Sequence, residues 1–433
     1  MVRKAFFFLL ATAVVGIAGC DLLPGDLLPG GDKDGVNLKQ GAVFSMSNAR
    51  DGNEIAAFSR AKDGTLTLVG RFSTGGTGSG IFEDTANGLV LGNAQGESSP
   101  NNLTGASDLL FATNAGSNTI TVFRVKKNKL ERVEVQESGG EKPVSVTVNG
   151  GLVYVLNSGE FEDDLFDADG NVIAQNCTTG DSPSITGFRV SHSGQLTPIP
   201  NSTRQLSGDP YSGCAQVSFS PDGKVLVVTE RFAVDPPSDN NQAPPGDEGL
   251  IVTFRVNSDG TLGDKQLIDA TGQGPFGFTF SKQGNLLTAE QFDGPAGPML
   301  GAAAAYSVGS DGSLTATSGS IGNGGTDSCW FVLTDDGKFG FVASFFDPTP
   351  RLSSYAVTPQ GGLSLIDGDA AIPEQGAADL ALSRDSKFLY NINAFTGMVT
   401  AYRIGHDGSL TQIQSVRAHP PSDMAGRLGL AAI

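Results

Sequence analysis

From about residue 42 to the end of this 433-residue chain, one short phrase recurs seven times, and that recurrence limits the fold more than any other feature. The phrase is an apolar strand carrying an aromatic residue, a tight turn that usually ends in Gly, and then Leu. It runs Ile55 to Phe58 with Gly64 and Leu66, Ile120 to Phe123 with Leu130, Ile185 to Phe188 with Gly194 and Leu196, and Ile251 to Phe254 with Gly260 and Leu262. Three copies begin with tyrosine: Tyr306 with Gly312 and Leu314, Tyr355 with Gly361 and Leu363, and Tyr402 with Gly408 and Leu410. A second hairpin lies between copies, clearest at Val217 to Val228 around Asp222-Gly223 and repeated around Asp336-Gly337 and Asp385. Asp-Gly supplies the positive φ that two-residue hairpin turns require. Each unit therefore predicts four antiparallel strands, A to D, in roughly 50 to 65 residues, the size of a propeller blade.

The two ends of this region complement each other. Val43 to Ala49 reads as a strand B, because Leu109 to Ala115 occupies that place in the next unit, and Gly426 to Ile433 reads as a lone strand A. Pairing the C-terminal A with the N-terminal B, C and D completes one blade and removes both open sheet edges. The expected fold is an all-β, seven-bladed β-propeller over residues 42–433.

Strand order also assigns the loops to faces. A–B and C–D turns share one side; B–C and D–A connections share the other. The insertions at Ser158–Ser182 and Arg231–Glu248 are B–C loops on that second face, and long loops on a rigid scaffold are the usual place for binding. A third, near Gln95–Gly105, is an A–B turn. Cys177 lies in the first insertion and Cys214 in the D–A loop entering the next blade, so a disulfide between them is expected; Cys329, beside Trp330, is expected to be a buried thiol.

Upstream of the repeats, Arg3 and Lys4 precede an apolar run from Ala5 to Gly16, and Ile17-Ala18-Gly19-Cys20 follows. Such a run is short for a membrane span and matches a signal peptide over residues 1–20. The four residues around the cysteine match the bacterial lipobox, in which Cys20 is lipidated and anchors the protein. Residues 21–41, with the tandem Asp21 to Gly25 and Asp26 to Gly30, read as a flexible tether. The expected setting is the cell envelope, periplasmic or surface-exposed, as a monomer held to a membrane through Cys20.

The formal charge of −18, from 46 acidic and 28 basic residues, disfavours a nucleic-acid partner, which needs clustered Lys and Arg. Asp167 to Asn171 resembles part of a calcium loop but lacks the remaining ligand positions, and no Cys/His spacing suggests zinc. No metal or cofactor is expected.

Candidate chemistry concentrates at the ends of strands B. Glu230 and Glu290 end that strand in consecutive blades, and Arg231 adjoins the first. Two carboxylates can divide acid and base roles if their surroundings separate their pKa values, or they can be solvated rim residues. Histidine is scarce: His192 and His406 fall in C–D turns, and His419, in the last D–A loop, is the one imidazole on the loop-rich face.

With these residues in view, the chain resembles the lactonase-like seven-bladed propeller family, which includes 6-phosphogluconolactonase and carboxy-muconate lactonizing enzymes. The resemblance is carried by Ala115 to Phe123, by Phe219 to Glu230, and by Pro275 to Phe278. It implies an Arg and a His ahead of the Phe-x-Pro-Asp-Gly turn and a Glu after the following strand. Glu230 matches that Glu, but Ala215 and Gln216 stand where Arg and His are expected. Two readings follow. The first is a non-enzymatic propeller that binds a small molecule or an envelope protein on the loop-rich face, and the missing pair favours it. The second is an extracytoplasmic lactone hydrolase in which Glu230 activates water, Arg231 holds a carboxylate or the oxyanion, and Glu290 or His419 assists proton transfer.

Overall fold

The computed structural model describes residues 36–81, 85–93, 108–159, 165–166, 172–174, 183–208, 212–232, 249–292, 297–346, 350–421 and 429–433. The repeats form seven antiparallel blades. Blade 1 combines strand A, Leu430–Ala432, with B, C and D at Ala42–Met46, Glu54–Arg60 and Leu66–Ser73. Blades 2 to 7 follow in chain order, with strands A at Leu89–Gly92, Pro143–Asn149, Ser212–Phe219, Pro275–Phe280, Ser328–Leu333 and Ala377–Leu382. Each strand A touches the next around a full circle, so the sheet array is closed. The seam is the expected one: Val43 pairs with Ala432, Phe44 with Ala431 and Ser45 with Leu430, while Arg60 reaches the Ile433 carbonyl. That pairing satisfies the backbone edge of the first strand B, which would otherwise offer open donors and acceptors.

Burial grades outward through each blade. Strand B of blade 2, Leu109–Asn114, is buried at every residue, whereas its strand D, Leu130–Glu137, is buried at Leu130 alone and half-buried or exposed elsewhere. Inner strands read as continuous apolar runs because neighbouring blades cover both of their faces; the outer strands are largely solvated. Aromatic side chains fill the space between blades, as where Tyr154 of blade 3 meets Phe219 of blade 4 edge-on at 5.8 Å. Burial of such a ring stabilises by about 1.5–3 kcal/mol. Tyr154 also donates its hydroxyl to the Gly260 carbonyl at 2.7 Å, and Tyr390 donates to Gly64, so strand B pins a C–D turn in the following blade.

The turns show why the repeat has its composition. In the A–B turn of blade 4, Gly223 has φ +70° and Asp222 accepts bonds from Ser220 Oγ and the Lys224 amide. In the C–D turn of the same blade, Asp259 accepts from both the amide and hydroxyl of Thr261, with Gly260 at φ +82°. The aspartate satisfies turn donors while the glycine adopts the left-handed backbone.

Two local departures have clear causes. Strand D of blade 3 is split into Leu196–Pro198 and Arg204–Gln205, since Pro198 and Pro200 cannot donate to a ladder. Val36–Gly41, read from the sequence as the end of the tether, is packed: Leu38 is fully buried and its amide bonds to the Lys127 carbonyl. The packed unit thus begins at Val36. A single leucine filling the apolar space beside Phe123, Val125 and Leu130 moves that boundary.

Candidate functional site

The seven strands A line a central channel, and the chain's own backbone crosses it. The connection from strand D of blade 1 to strand A of blade 2 runs inward at Thr85–Asn87. The Ala86 amide donates to the Ala215 carbonyl at 3.0 Å, the Trp330 indole Nε1 donates to the Thr85 carbonyl at 3.2 Å, and the Val146 amide donates to Asn87 at 3.0 Å. Blades 3, 4 and 6 are therefore tied to one segment. Ala86 joins a buried apolar cluster with Ala215, Phe276, Cys329 and Trp330. This plug leaves a cavity of about 30 Å³, lined by Asn87, Gln216, Gly277 and Asp379 among others, room for one or two waters.

Ala215 and Gln216, at the positions where the resemblance implies Arg and His, are both committed to structure. Gln216 Nε2 donates to the Phe278 carbonyl at 2.8 Å, and its Oε1 accepts the Phe278 amide at 2.9 Å. Gln216 thus clasps blade 4 to blade 5.

Glu230 is 1% exposed; Oε1 accepts the Ser207 amide at 3.0 Å and Oε2 accepts the Ser207 hydroxyl at 2.5 Å. Ser207 lies in the D–A loop that enters the same blade. Glu290 is fully buried in the equivalent place, accepting from Thr271 Oγ1 at 3.1 Å, with Ser320 and the Gly272 amide also bonded to it. Burial pushes its carboxyl up to about 7 against these bonds. Arg231 is 2% exposed and lies over the Phe276 ring at 5.9 Å.

Register explains this arrangement. Glu230 and Glu290 each pair with the first residue of strand C, Leu250 and Ala302 respectively. Asn114, Asn157, Ser344 and Asn393 occupy the same register in blades 2, 3, 6 and 7. Asn157 bonds to the Ser138 carbonyl in its own D–A loop, and Asn393 bonds to Thr400 and the Met398 carbonyl. A polar residue here secures the loops of its own blade, and in blades 4 and 5 a carboxylate does so. The two glutamates sit on the loop-rich face, each facing its own loop, and neither lines the channel cavity.

His419 is also enclosed, at 0% exposure. Its Nε2 lies 3.1 Å from Ser45 Oγ and 3.2 Å from the Ser45 carbonyl, and its Nδ1 lies 3.9 Å from Glu54 Oε1. Glu54 pairs with Arg71 at 3.1 Å. This histidine joins the last D–A loop to strands B and C of blade 1, beside the seam. Cys214 is buried and disulfide-bonded, and Cys329 is a buried thiol that donates to Asp327 Oδ1 at 3.3 Å. Cys20 and Cys177 lie outside the described residues.

One ionisable group escaped the sequence reading. Asp379, in strand A of blade 7, is enclosed in the channel and accepts the Gly429 amide that precedes the closing strand. Burial pushes its carboxyl up to about 7. Its signal was available: a lone aspartate within the apolar run Ala377 to Leu382. Among the described residues, no three His, Cys, Asp or Glu side chains are grouped to hold a metal ion.

Comparison with known proteins agrees with this architecture. Residues 176–294 match the model of the Lactonase family, described as a 7-bladed beta-propeller. No curated protein sequence matches the chain. A putative 6-phosphogluconolactonase from Bacteroides uniformis is similar at 15% identity over 91% of this chain and 99% of its own, with a TM-score of 0.63. A second from Bacteroides fragilis gives 15%, 91%, 98% and 0.60. The periplasmic gluconolactonase of Pseudomonas aeruginosa gives 15%, 91%, 99% and 0.61. At such identities the structural likeness concerns the fold.

Proposed function

We propose that this chain, a lactonase-like seven-bladed propeller, is a non-hydrolytic binding module of the cell envelope, tethered through lipid on Cys20 and engaging its ligand on the loop-rich face. One observation carries the reading: Thr85–Asn87 occupies the channel and bonds to the Ala215 backbone, where the resemblance implies catalytic side chains. Lactone hydrolysis needs a base that reaches a water and a donor aimed at the oxyanion. Gln216, Glu230 and Arg231 are each buried against protein groups, which supports the binding reading over either role.

The hydrolase reading keeps one supporting observation. The Glu290 carboxyl, raised to about 7, titrates where a general base works at neutral pH. A hydrolysis screen of the wild type, Glu230→Gln and Glu290→Gln against five- and six-membered lactones decides between them. The binding reading expects no turnover above background; turnover lost in either variant would replace it with the hydrolase. Labelling of the cellular protein with an alkyne fatty acid, lost in Cys20→Ser, tests the anchor.

A further inference from the structure

The loop-rich face carries a second concavity, away from the channel and both glutamates. It is a cleft of about 270 Å³ between the loops of blades 1, 2 and 3. Arg50 comes from the B–C loop of blade 1, Thr77 and Ser79 from the blade 1–2 connection, Asn118 from the B–C loop of blade 2, and Glu141 and Lys142 from the next D–A loop.

The walls are set by bonds that do not involve a ligand. Gly78 and Gly116 form a floor in which the loops touch backbone to backbone: a Cβ on Gly116 would lie 2.2 Å from the Gly78 carbonyl oxygen, and one on Gly78 would lie 2.2 Å from the Asn48 carbonyl carbon. The Gly78 amide bonds to Ala49, the Gly116 amide to Thr77, and the Ser79 amide to Asn48 Oδ1. Across the cleft, Asn118 and Lys142 both have left-handed backbones, and the Lys142 amide donates to Asn118 Oδ1 at 2.8 Å. The cleft is therefore pre-formed, as small-molecule sites usually are.

Its chemistry is specific. Arg50 is exposed, and its Nε donates to the Ser79 carbonyl at 2.9 Å, which fixes the guanidinium while leaving its terminal nitrogens without a hydrogen bond among the described residues. A guanidinium held by one edge offers the others to a carboxylate. Among the described residues that line the cleft, Arg50 is the exposed cation and Glu141 the exposed carboxylate. Among the described residues the remaining lining has no large apolar or aromatic side chain; hydroxyl, amide and backbone groups dominate it. Such walls suit ligand hydroxyls, and the volume suits roughly a dozen non-hydrogen atoms.

We propose that this cleft binds a small hydroxylated carboxylate of the sugar-acid class, with Arg50 taking the carboxylate and Thr77, Asn118 and Glu141 taking hydroxyls. The proposal rests on the binding-module reading and supplies its ligand class. The test is calorimetric titration of the full chain, in detergent, with D-galacturonate, D-galactose and acetate. The expected result is saturable galacturonate binding, with galactose and acetate each at least about tenfold weaker, and loss of at least about tenfold in Arg50→Ala at unchanged Tm. Thr77→Val should weaken galacturonate several-fold and leave acetate unchanged. Absence of saturable galacturonate binding, or binding unaffected by Arg50→Ala, overturns the proposal. Lactone turnover lost in Glu290→Gln would overturn the non-hydrolytic reading instead, and galacturonate binding would survive that change.

Discussion

Gln216 grips the peptide of Phe278 at both its amide and its carbonyl, at 2.9 and 2.8 Å, so one side chain bridges strands A of blades 4 and 5. A neutral histidine also has one donor and one acceptor, but its two ring nitrogens point in diverging directions and do not match the adjacent amide and carbonyl of one residue. Gln216→Ala leaves a buried donor and acceptor unpaired, each costing about 1–3 kcal/mol. Chemical denaturation should show a loss of about 2–4 kcal/mol. A loss within error would mean that water replaces the clasp.

Asp379 and Glu290 make stability pH-dependent in an unusual direction. Burial holds their carboxyls at about 7, above the ordinary values of 3.8 and 4.5. Between roughly pH 4 and 7 the folded chain holds protons that the unfolded chain has lost, so stability falls as pH rises through that window and levels off above it. Tm measured from pH 4.5 to 8 should decline, and Asp379→Asn and Glu290→Gln should each flatten part of the decline. A slope unchanged by both substitutions would contradict this assignment.

Gly277 sits where two blades nearly touch. A Cβ there would lie 2.6 Å from the Cys329 carbonyl oxygen and 3.1 Å from the Trp330 Cα, both backbone atoms that cannot swing aside. Gly277→Ala should destabilise by about 1–3 kcal/mol through overpacking and disturb the indole bond to Thr85. Tryptophan fluorescence reads this directly, since Trp330 is the only tryptophan.

The disulfide at Cys214 should contribute about 2–4 kcal/mol. Dithiothreitol is expected to lower the Tm of the wild type and leave that of Cys214→Ala unchanged. Non-reducing peptide mapping should identify the partner, which the sequence reading assigns to Cys177. A Tm indifferent to reductant would remove the stabilising role.

Much of the architecture was legible because a propeller is written locally. Phe254, Gly260 and Leu262 specify strand, turn and strand within a dozen residues, and the phrase recurs with the blades. The seam was legible for the same reason: Val43 to Ala49 matches one strand type and the C-terminal residues another. The start of the packed domain was not legible, because Leu38 is indistinguishable in sequence from the leucines of the tether.

By itself the sequence determined the blade count, the strand order, the sharing of loops between faces and the positions of Glu230, Glu290 and His419 along their strands and loops. Only the tertiary structure decided what those residues face. Strand register places the two glutamates against Ser207 and Thr271, and ring closure encloses His419 against Ser45. Thr85–Asn87 looks like any loop until three other blades supply its partners. Repeats encode contacts between near neighbours, whereas the plug depends on groups as distant as Thr85 and Trp330, 245 residues apart and brought together by closure of the ring.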